Sequence, residues 1–428
     1  LGGSTKLEIT SGGIDVTGAI TVGGSPLSSA PTLTATANGS IGANAAVHVN
    51  SNGTVQVPTV GAGSLGSANK IGPGINVTSS HNIVYNTTDN IAVAVFVQSS
   101  IAYAIAGTVS GTVITWGSGT TVISSSGHQP HSVDIAWDAT TNRFIFLYPR
   151  CSGGNGIYSG ELTVSGTTIT VVTPFQVSND NVSNTQYYVR LISTNAGEMA
   201  GFAMRNTDRQ LRICSLDLPA LGTAITSSHW DSLLSGYTPE GHVNSSPEFV
   251  FDSSSNRLVV LFFTTTHDLK YQLYSQSGKY LTAQGSAAIA NNTDSYRVSA
   301  CYDSDEDRIV AFYGEYESDN RPVVQVGSVG STSITWGSRV VMQAGYADQG
   351  VGKSAVYDPN TQQAYYFYHS NDDNEGRFQT VTISGSTPTL VSNVSITGSA
   401  ALGAYFPAIT RTSDGAIIMV WRYTSSQP

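Results

Sequence analysis

Three arginines occupy a repeated place in the sequence: Arg150, Arg205 and Arg422 each follow a short run rich in apolar residues. A guanidinium group binds a carboxylate through two parallel hydrogen bonds, so three converging arginines could clamp an acidic substrate. The simpler alternative is that all three are solvated side chains at strand ends. The clamp requires that the three runs be equivalent strands around one centre.

Two acidic clusters suggest other chemistry. They are "DSDED", with Asp303, Asp305, Glu306 and Asp307, and "NDDNEG", with Asp372, Asp373 and Glu375. Carboxylate oxygens ligate hard cations, and two carboxyl groups several ångströms apart can hydrolyse a glycosidic bond. Neither cluster has EF-hand spacing. A solvated acidic turn or loop is the simpler interpretation of each.

The histidines and cysteines give only weak indications of a metal site or a disulfide. His128 and His131 flank a proline in "GHQPHS", which argues against a helix, and His242 and His267 are isolated. The three cysteines are an odd number and widely spaced, which favours free thiols over disulfides or a metal site. We therefore predict no metal, no cofactor and no catalytic residue.

The elements that position these residues form a repeat. Twelve-residue segments such as "WDATTNRFIFLY" and "FDSSSNRLVVLF" combine an aromatic residue, a polar turn and an apolar run. They begin at residues 85, 137, 192, 251, 302, 357 and 410, a period near fifty, with the segment at 192 divergent. Asp, Asn, Ser and Gly at the turns favour a hairpin of two strands in each unit.

A second hairpin follows in most units. Segments such as "IYSGELTVSGTTITV" alternate polar and apolar residues on both sides of a Ser-Gly turn. The phrase Ile-Thr-Trp-Gly-Ser occurs twice, at 114–118 and 334–338, and is expected to open the outermost strand of its unit. Six aromatic residues recur at the end of the second strand and are expected to pack between units: Phe96, Tyr148, Phe262, Tyr313, Tyr368 and Trp421.

Four strands per unit and seven units predict an all-β protein, a seven-bladed β-propeller, with six blades as the competing count. The last unit ends after its second strand, so residues about 43–60 are predicted to complete the last blade and remove an open edge. We assign 30–428 to the propeller and 1–29 to a β segment that pairs between chains as an oligomerisation or attachment spine. Because the sequence begins at Leu1, a fragment or a processed product of a longer fibre is expected.

The amino-acid composition limits the classes of partner that we expect this protein to bind. The net charge is −10 and no basic stripe is visible, which excludes nucleic acid as an expected ligand. No apolar run is long enough to span a bilayer, so no membrane insertion is expected. Only 11% of residues are charged, against about 25% in typical soluble proteins. A surface of hydroxyls and amides is common in extracellular β-proteins and virion parts.

The segments "LEITSGGIDVTGAITVGG" and "TATANGSIGANAAVHVNSNGTV" resemble spine segments of bacteriophage tail fibres and related virion proteins. The blade repeats are similar to those of propeller-tipped phage fibres. This resemblance implies a homotrimeric tail fibre or appendage in the virion, outside the cell. It also implies contact with other tail proteins and with a glycan or protein on the host surface.

An enzymatic alternative is a glycan-cleaving, sialidase-like propeller. "SGTVITW" and "GSTSITW" lie where a sialidase Asp box would lie but have no aspartate, which counts against it. A purely structural virion component is the third alternative. We predict a non-enzymatic receptor-binding protein.

Its binding face is predicted where second strands lead into third strands, since varied loops on a rigid scaffold usually carry recognition. The predicted binding residues are Arg150, Arg205, Arg209, His267, Tyr316, Arg321, Asp372 and Arg377.

Overall fold

A computed structural model shows an all-β protein. It describes residues 6–10, 13–17, 21–22, 25–26, 48–49, 55–56, 81–111, 113–124, 128–150, 156–178, 189–195, 197–204, 211–218, 225, 227–232, 247–264, 266–291, 295–315, 321–342, 347–348, 353–370, 372–396 and 404–423. Some segments are described by their backbone alone: the strands within 6–56 and residues 203–204, 211–212, 227–232, 296, 347–348, 404–406 and 422–423. The chain divides into two compact units, Leu1–Ser64 and Leu65–Pro428.

The described residues of the first unit form three short antiparallel pairs. Its strands are β1 (Lys6–Thr10), β2 (Gly13–Thr17), β3 (Thr21–Val22), β4 (Ser25–Pro26), β5 (His48–Val49) and β6 (Val55–Gln56). The boundary predicted after residue 29 lies inside this unit and stays a prediction. Strands β5 and β6 pair with each other within the segment 43–60. That this segment completes the last blade also stays a prediction.

In the second unit the described residues form six sheets of at least four antiparallel strands, each built from consecutive hairpins. Blade 1 has β7 (His81–Asn86), β8 (Ile91–Gln98), β9 (Ile101–Ser110), β10 (Val113–Trp116) and β11 (Thr120–Ile123); blade 2 has β12 (Asp134–Asp138), β13 (Arg143–Arg150), β14 (Gly156–Ser165) and β15 (Thr168–Ser178); blade 3 has β16 (Val189–Ser193), β17 (Glu198–Met204), β18 (Leu211–Asp217) and β19 (Ser227–Ser232).

Blades 4 to 6 repeat this plan. Blade 4 has β20 (Glu248–Asp252), β21 (Arg257–Phe263), β22 (Leu269–Ser277) and β23 (Tyr280–Asn291); blade 5 has β24 (Ser295–Asp303), β25 (Arg308–Glu315), β26 (Arg321–Val329), β27 (Ile334–Trp336) and β28 (Val340–Val341); blade 6 has β29 (Ala347–Asp348), β30 (Ala355–Asp358), β31 (Gln363–Ser370), β32 (Glu375–Ser384) and β33 (Thr387–Ser395).

The predicted all-β propeller is confirmed, with six complete blades among the described residues. A two-stranded sheet follows, β34 (Ala404–Arg411) and β35 (Ile417–Tyr423), which contacts β30 and β31 of blade 6 and β7 of blade 1. The count of seven is therefore not confirmed as seven complete blades. No helix occurs in the described part of the chain, and hence none that could span a membrane.

Most turns between first and second strands are closed by an Asn or Asp side chain. Asp252 accepts hydrogen bonds from the backbone N–H groups of Ser254 and Ser255 at 2.9 and 3.1 Å. Asp303 does the same for Asp305 and Glu306. Such Asx turns supply the backbone bonds that the hairpin itself lacks there, so the repeated acidic residues are structural.

The aromatic residues at the ends of the second strands pack between sheets as predicted. Tyr148, Phe262, Tyr313 and Tyr368 are fully buried and belong to clusters that combine residues of neighbouring blades. Trp421 packs edge-on against Phe367 of blade 6 at 5.7 Å between ring centroids. Each such ring removes roughly 150–250 Å² from water, which holds adjacent sheets together.

The Ile and Trp side chains of the duplicated phrase Ile-Thr-Trp-Gly-Ser pack in the same way in both of its copies. In blade 1, Ile114 and Trp116 of β10 cover Gly107 of β9 so closely that a Cβ there would lie 2.7 Å from each side chain. In blade 5, Ile334 and Trp336 cover Gly327 in the same way. The phrase does lie in the fourth strand, as expected.

The glycine of each phrase lies in close contact with a turn of the next blade. A Cβ at Gly117 would lie 2.6 Å from Cβ of Thr167, in the β14–β15 turn of blade 2. A Cβ at Gly337 would lie 2.9 Å from Cβ of Ser386, in the β32–β33 turn of blade 6. We call these two contacts the rim latches.

Candidate functional sites

One buried polar position recurs in the blades, four residues before the residue that begins the turn between first and second strands. It lies in the first strand of blades 1 to 5 and directly before β30 in blade 6, and its occupants are Asn82, Asp134, Arg190, Glu248, Ser299 and Ser354. Since Lys353 of blade 6 reaches Asp134 of blade 2 across the ring, we take this position to line the propeller axis. None of the six is more than 2% exposed. Together with Lys353 they form what we call the axial cluster, near the end of the axis where the first strands begin.

Asp134 is the most heavily bonded member of the axial cluster. Its carboxylate accepts from Nδ2 of Asn82, from the Ile135 N–H at 2.7 Å and from the Leu191 N–H at 2.7 Å. Nζ of Lys353, which comes from blade 6, lies 3.3 Å from Oδ2 of Asp134 and also bonds the Leu191 carbonyl. One carboxylate therefore ties blades 1, 2, 3 and 6 together.

Glu248 lies in a different environment. Its Oε1 accepts from the Phe249 N–H at 3.0 Å, and its Oε2 lies 3.7 Å from Nε of Arg190 without a hydrogen bond. Burial raises the pKa of Glu248 to about 7, with the Asp134 carboxylate acting in the same direction and Arg190, Lys353 and the Phe249 N–H opposing it. The carboxyl thus takes up a proton near neutral pH.

The enzymatic alternative requires two neighbouring carboxyl groups, and the axial cluster contains two, Asp134 and Glu248, the first of which contributes to the raised pKa of the second. No such pair was predicted. A pair of carboxyl groups is the arrangement used in glycoside hydrolysis. Here, however, Asp134 and Glu248 are 0% and 1% exposed, and the oxygens of Asp134 bond the protein itself. This geometry suits a lock between blades better than contact with a substrate.

A second cluster lies on the loop face, which we define as the end of the propeller where second strands lead into third strands. It contains Tyr148 and Arg150 at the end of β13, Tyr158 near the start of β14 and His128 in the connection from blade 1. His128, Arg150 and Tyr158 are partly exposed, and Tyr148 is buried. We call these four residues the seam site, because they lie where blade 1 meets blade 2.

Ring packing fixes the seam site. The rings of Tyr148 and Tyr158 stack with centroids 5.7 Å apart, and His128 meets Tyr158 edge-on at 5.2 Å. Nδ1 of His128 lies 2.9 Å from the Tyr148 hydroxyl. Arg150 donates to the Tyr158 hydroxyl at 3.0 Å, with its guanidinium carbon 5.6 Å from the centre of that ring. Burial, and then the Arg150 charge, lower the pKa of His128, which favours the neutral imidazole.

The predicted residue Asp372 lies in the loop before β32, and Arg377 is the third residue of that strand. Arg377 forms ion pairs with Asp373 and, at 3.4 Å, with Glu375, whereas Asp372 is exposed. Burial alone would raise the pKa of Asp373, but hydrogen bonds from Arg377 and Ser370 lower it overall. Two carboxylates therefore offset the charge of Arg377.

The other predicted residues are dispersed or undescribed. Arg321 begins β26, and His267 has a left-handed backbone, φ 60°, in the β21–β22 loop. Arg205, Arg209 and Tyr316 lie outside the described residues, and Arg422 is described by its backbone alone. The convergence of Arg150, Arg205 and Arg422 therefore stays a prediction.

The acidic turn "DSDED" joins blades. Asp305 accepts from the Tyr357 hydroxyl of blade 6 at 2.7 Å, and Asp307 accepts from Ser254 of blade 4 at 2.6 Å. Within the described part of the chain, no three His, Cys, Asp or Glu side chains are placed to hold a metal ion. Cys214 and Cys301 are buried free thiols, as predicted, and Cys151 lies outside the described residues.

Comparisons with known proteins show the fold. No known protein family and no curated protein matches the sequence. Among solved structures, a protein from Lactobacillus plantarum has a TM-score of 0.52 at 10% identity, covering 73% of this chain and 83% of its own. Proposed 6-phosphogluconolactonases from Bacteroides fragilis and Bacteroides uniformis both score 0.51. Their identities are 11% and 12%, with coverage of 74% and 79% of this chain and 84% and 88% of theirs. At these identities the similarity extends to the propeller scaffold and not to its chemistry.

Proposed function

We propose that this chain is the receptor-binding part of a phage tail fibre or related virion appendage, and that its loop face binds a host-surface glycan. The virion assignment is supported by the N-terminal segments that resemble fibre spines. With it we propose a homotrimer and contacts to other tail proteins. Three weak sites on one fibre would gain avidity on a repetitive surface polymer.

The observation that carries glycan binding is the seam site. Its imidazole, phenol and guanidinium groups are partly exposed, and ring stacking holds them in place. Such groups bond sugar hydroxyls, and a site fixed before binding loses little entropy when the ligand arrives. Its position on the loop face agrees with the general placement of recognition on connecting segments.

A non-enzymatic role is supported by the burial of the axial carboxyl groups. A hydrolase needs both carboxyl groups to reach the scissile bond, and the side chains of Asp134 and Glu248 are enclosed by neighbouring blades. Glycan cleavage is the alternative function, and the experiment distinguishes it from glycan binding alone.

The test is binding of the purified chain to whole bacterial cells and extracted surface polysaccharides, with simultaneous detection of new reducing ends. We expect saturable binding without release of sugar. Release of reducing ends would overturn the non-enzymatic proposal, and no binding to any cell or polysaccharide would overturn the receptor-binding proposal.

A further inference from the structure

We infer that the acidic turn "DSDED" of blade 5 binds a calcium ion through the carboxylates of Asp303 and Asp305. The turn joins β24 to β25, so it lies at the end of the blade opposite the loop face. The inference is therefore independent of the proposed glycan binding.

Four turns between first and second strands begin with an equivalent aspartate, and all four side chains are at most 2% exposed: Asp138, Asp252, Asp303 and Asp358. Backbone N–H groups of the turn bond one oxygen of each carboxylate. A buried carboxylate is costly unless its other oxygen also has a partner. The four turns can therefore be compared by what bonds the remaining oxygen.

The third residue after the aspartate supplies a hydroxyl donor in three of these blades. It is Thr141 in blade 2, Ser255 in blade 4 and Thr361 in blade 6, and each hydroxyl donates to its aspartate. In blade 5 the same position is Glu306, and an ionised carboxylate has no proton to donate. Oδ2 of Asp303 is accordingly buried without a hydrogen-bond partner among the described residues.

A neighbouring phenol does not replace the missing donor. Burial, and then hydrogen bonding to Asp305 and Asp303, raise the pKa of Tyr357, so its hydroxyl lies near both carboxylates. A phenol has one proton, and Tyr357 donates it to Oδ2 of Asp305 at 2.7 Å. Two carboxylates thus share one donor, and Asp303 does not receive its proton.

Basic side chains do not compensate either. Arg308, directly after the turn, donates to two backbone carbonyl oxygens and to a serine hydroxyl. In blade 6 the equivalent Asp358 forms an ion pair with Arg411. Asp303 therefore has neither the hydroxyl donor of the equivalent turns nor the basic partner of Asp358.

A hard cation supplies the missing partner and offsets the negative charge. Ca²⁺ binds carboxylate oxygens in flexible geometries, whereas Mg²⁺ requires a near-ideal octahedron. Oδ2 of buried Asp303 would be the fixed ligand, and exposed Asp305 and water would complete the coordination from the solvent side. Because only two carboxylates take part, we expect a weak site, with a dissociation constant of roughly 10⁻⁴–10⁻³ M.

The experiment measures Ca²⁺ binding to the full chain by calorimetry. Luminescence of Tb³⁺, which substitutes for Ca²⁺ and is excited through a nearby tyrosine such as Tyr357, reports binding at this turn. Asp303→Asn keeps an acceptor for the backbone N–H groups but removes the charge. Glu306→Thr restores the hydroxyl donor of blades 2 and 6. Asp138→Asn is the matched control, because both oxygens of Asp138 already have protein donors.

We expect Ca²⁺ to raise the melting temperature of the wild type, and Mg²⁺ at the same concentration to raise it less. Asp303→Asn should weaken binding of both Ca²⁺ and Tb³⁺ by about tenfold or more, because affinity follows the charge of the ligands. Asp138→Asn should leave binding unchanged. Glu306→Thr should melt above the wild type in EDTA and respond less to Ca²⁺, because its hydroxyl donates to Oδ2. If Asp303→Asn does not fold, Glu306→Thr decides the inference.

Four results would overturn the inference. The first is no binding of Ca²⁺ or Tb³⁺ to the wild type. The second is wild-type Tb³⁺ luminescence in Asp303→Asn, which would place the cation elsewhere. The third is an equal effect of Ca²⁺ and Mg²⁺ that persists in Asp303→Asn, which would indicate general screening. The fourth is a wild-type melting temperature that is indifferent to Ca²⁺ but rises as the pH falls, which would mean that a proton and not a cation satisfies Asp303.

Discussion

The contact between neighbouring blades is made from repeated residues at the rim of the propeller and from different residues at its axis. At the rim, Gly117 and Gly337 both end the words Ile-Thr-Trp-Gly, and both accept a turn of the following blade. At the axis, the equivalent positions of six blades hold five residue types. The rim therefore joins blades through one repeated contact, whereas the axis joins them through contacts that differ from blade to blade.

The difference follows from the kind of contact. A rim latch is steric: a turn fits where a glycine has no side chain, and that solution works at any pair of blades. An axial contact is polar, so each buried group needs a partner of complementary charge or hydrogen-bonding character. Identical charges around the axis would repel one another. Lys353 adds a contact across the ring, from blade 6 to blades 2 and 3.

The largest effect is expected at the axis, from Asp134→Ala. The substitution leaves Lys353, Asn82 and two backbone N–H groups without their shared acceptor. Removing one member of such a buried network costs about 3–5 kcal/mol. Urea unfolding followed by tryptophan fluorescence measures the loss. The exposed Glu306→Ala is the control and should change stability by less than about 0.5 kcal/mol. Similar losses for both variants would contradict the role of the axial cluster in holding the blades together.

Glu248→Gln should alter how stability depends on pH. The pKa of Glu248 is about 7 in the folded protein and that of an ordinary glutamate when unfolded, so its contribution is complete at low pH and is lost as pH rises through 7. The wild type should lose roughly 2–3 kcal/mol from this group between pH 5 and pH 8. Melting temperatures at both pH values should show a smaller decrease for the variant, and parallel decreases would contradict this.

At the rim, Gly337→Ala should destabilise the protein by about 1–3 kcal/mol, because the new methyl group overlaps the β32–β33 turn. Gly117→Ala should behave in the same way at the equivalent latch. Gly119 is a matched control two residues away, since a Cβ there meets nothing within 4 Å. Thermal melting of the three variants tests the comparison, and a Gly119→Ala effect equal to the other two would remove the steric explanation.

The smallest effect is expected at the turns between first and second strands that contact the next blade. Tyr357→Phe removes the hydroxyl that bonds Asp305 across the boundary of blades 5 and 6 while preserving the buried ring. A single hydrogen bond of this kind contributes about 1 kcal/mol. Chemical unfolding measures it, and a loss as large as that of Asp134→Ala would mean that the turns, rather than the axis, fix the ring.

The sequence predicts the strands and hairpins well because their signals are local. Polar turn residues, alternating apolar residues and the aromatic ends of second strands lie within twelve residues of one another. The segment at 192 departs from the others because its turn is shorter, closed by a bond from the Thr194 N–H to the Glu198 carbonyl. The axial position could have been found as the fourth residue before the turn residue, which is Asp in blades 2, 4, 5 and 6, but its partners could not.

What the amino-acid sequence determined by itself is the propeller unit, since each hairpin forms its own backbone hydrogen bonds and carries the alternating apolar residues that neighbouring blades then bury. Only the tertiary structure decided which polar residues meet. Asn82, Asp134, Arg190 and Glu248 share one repeated position but differ in residue type, and closure of the ring brings them together with Lys353. The contacts of Arg377 are also set by the fold, because its carboxylate partners Asp373 and Glu375 are positioned by the loop that leads into β32. A side chain's charge is local, but its partner is set by the fold.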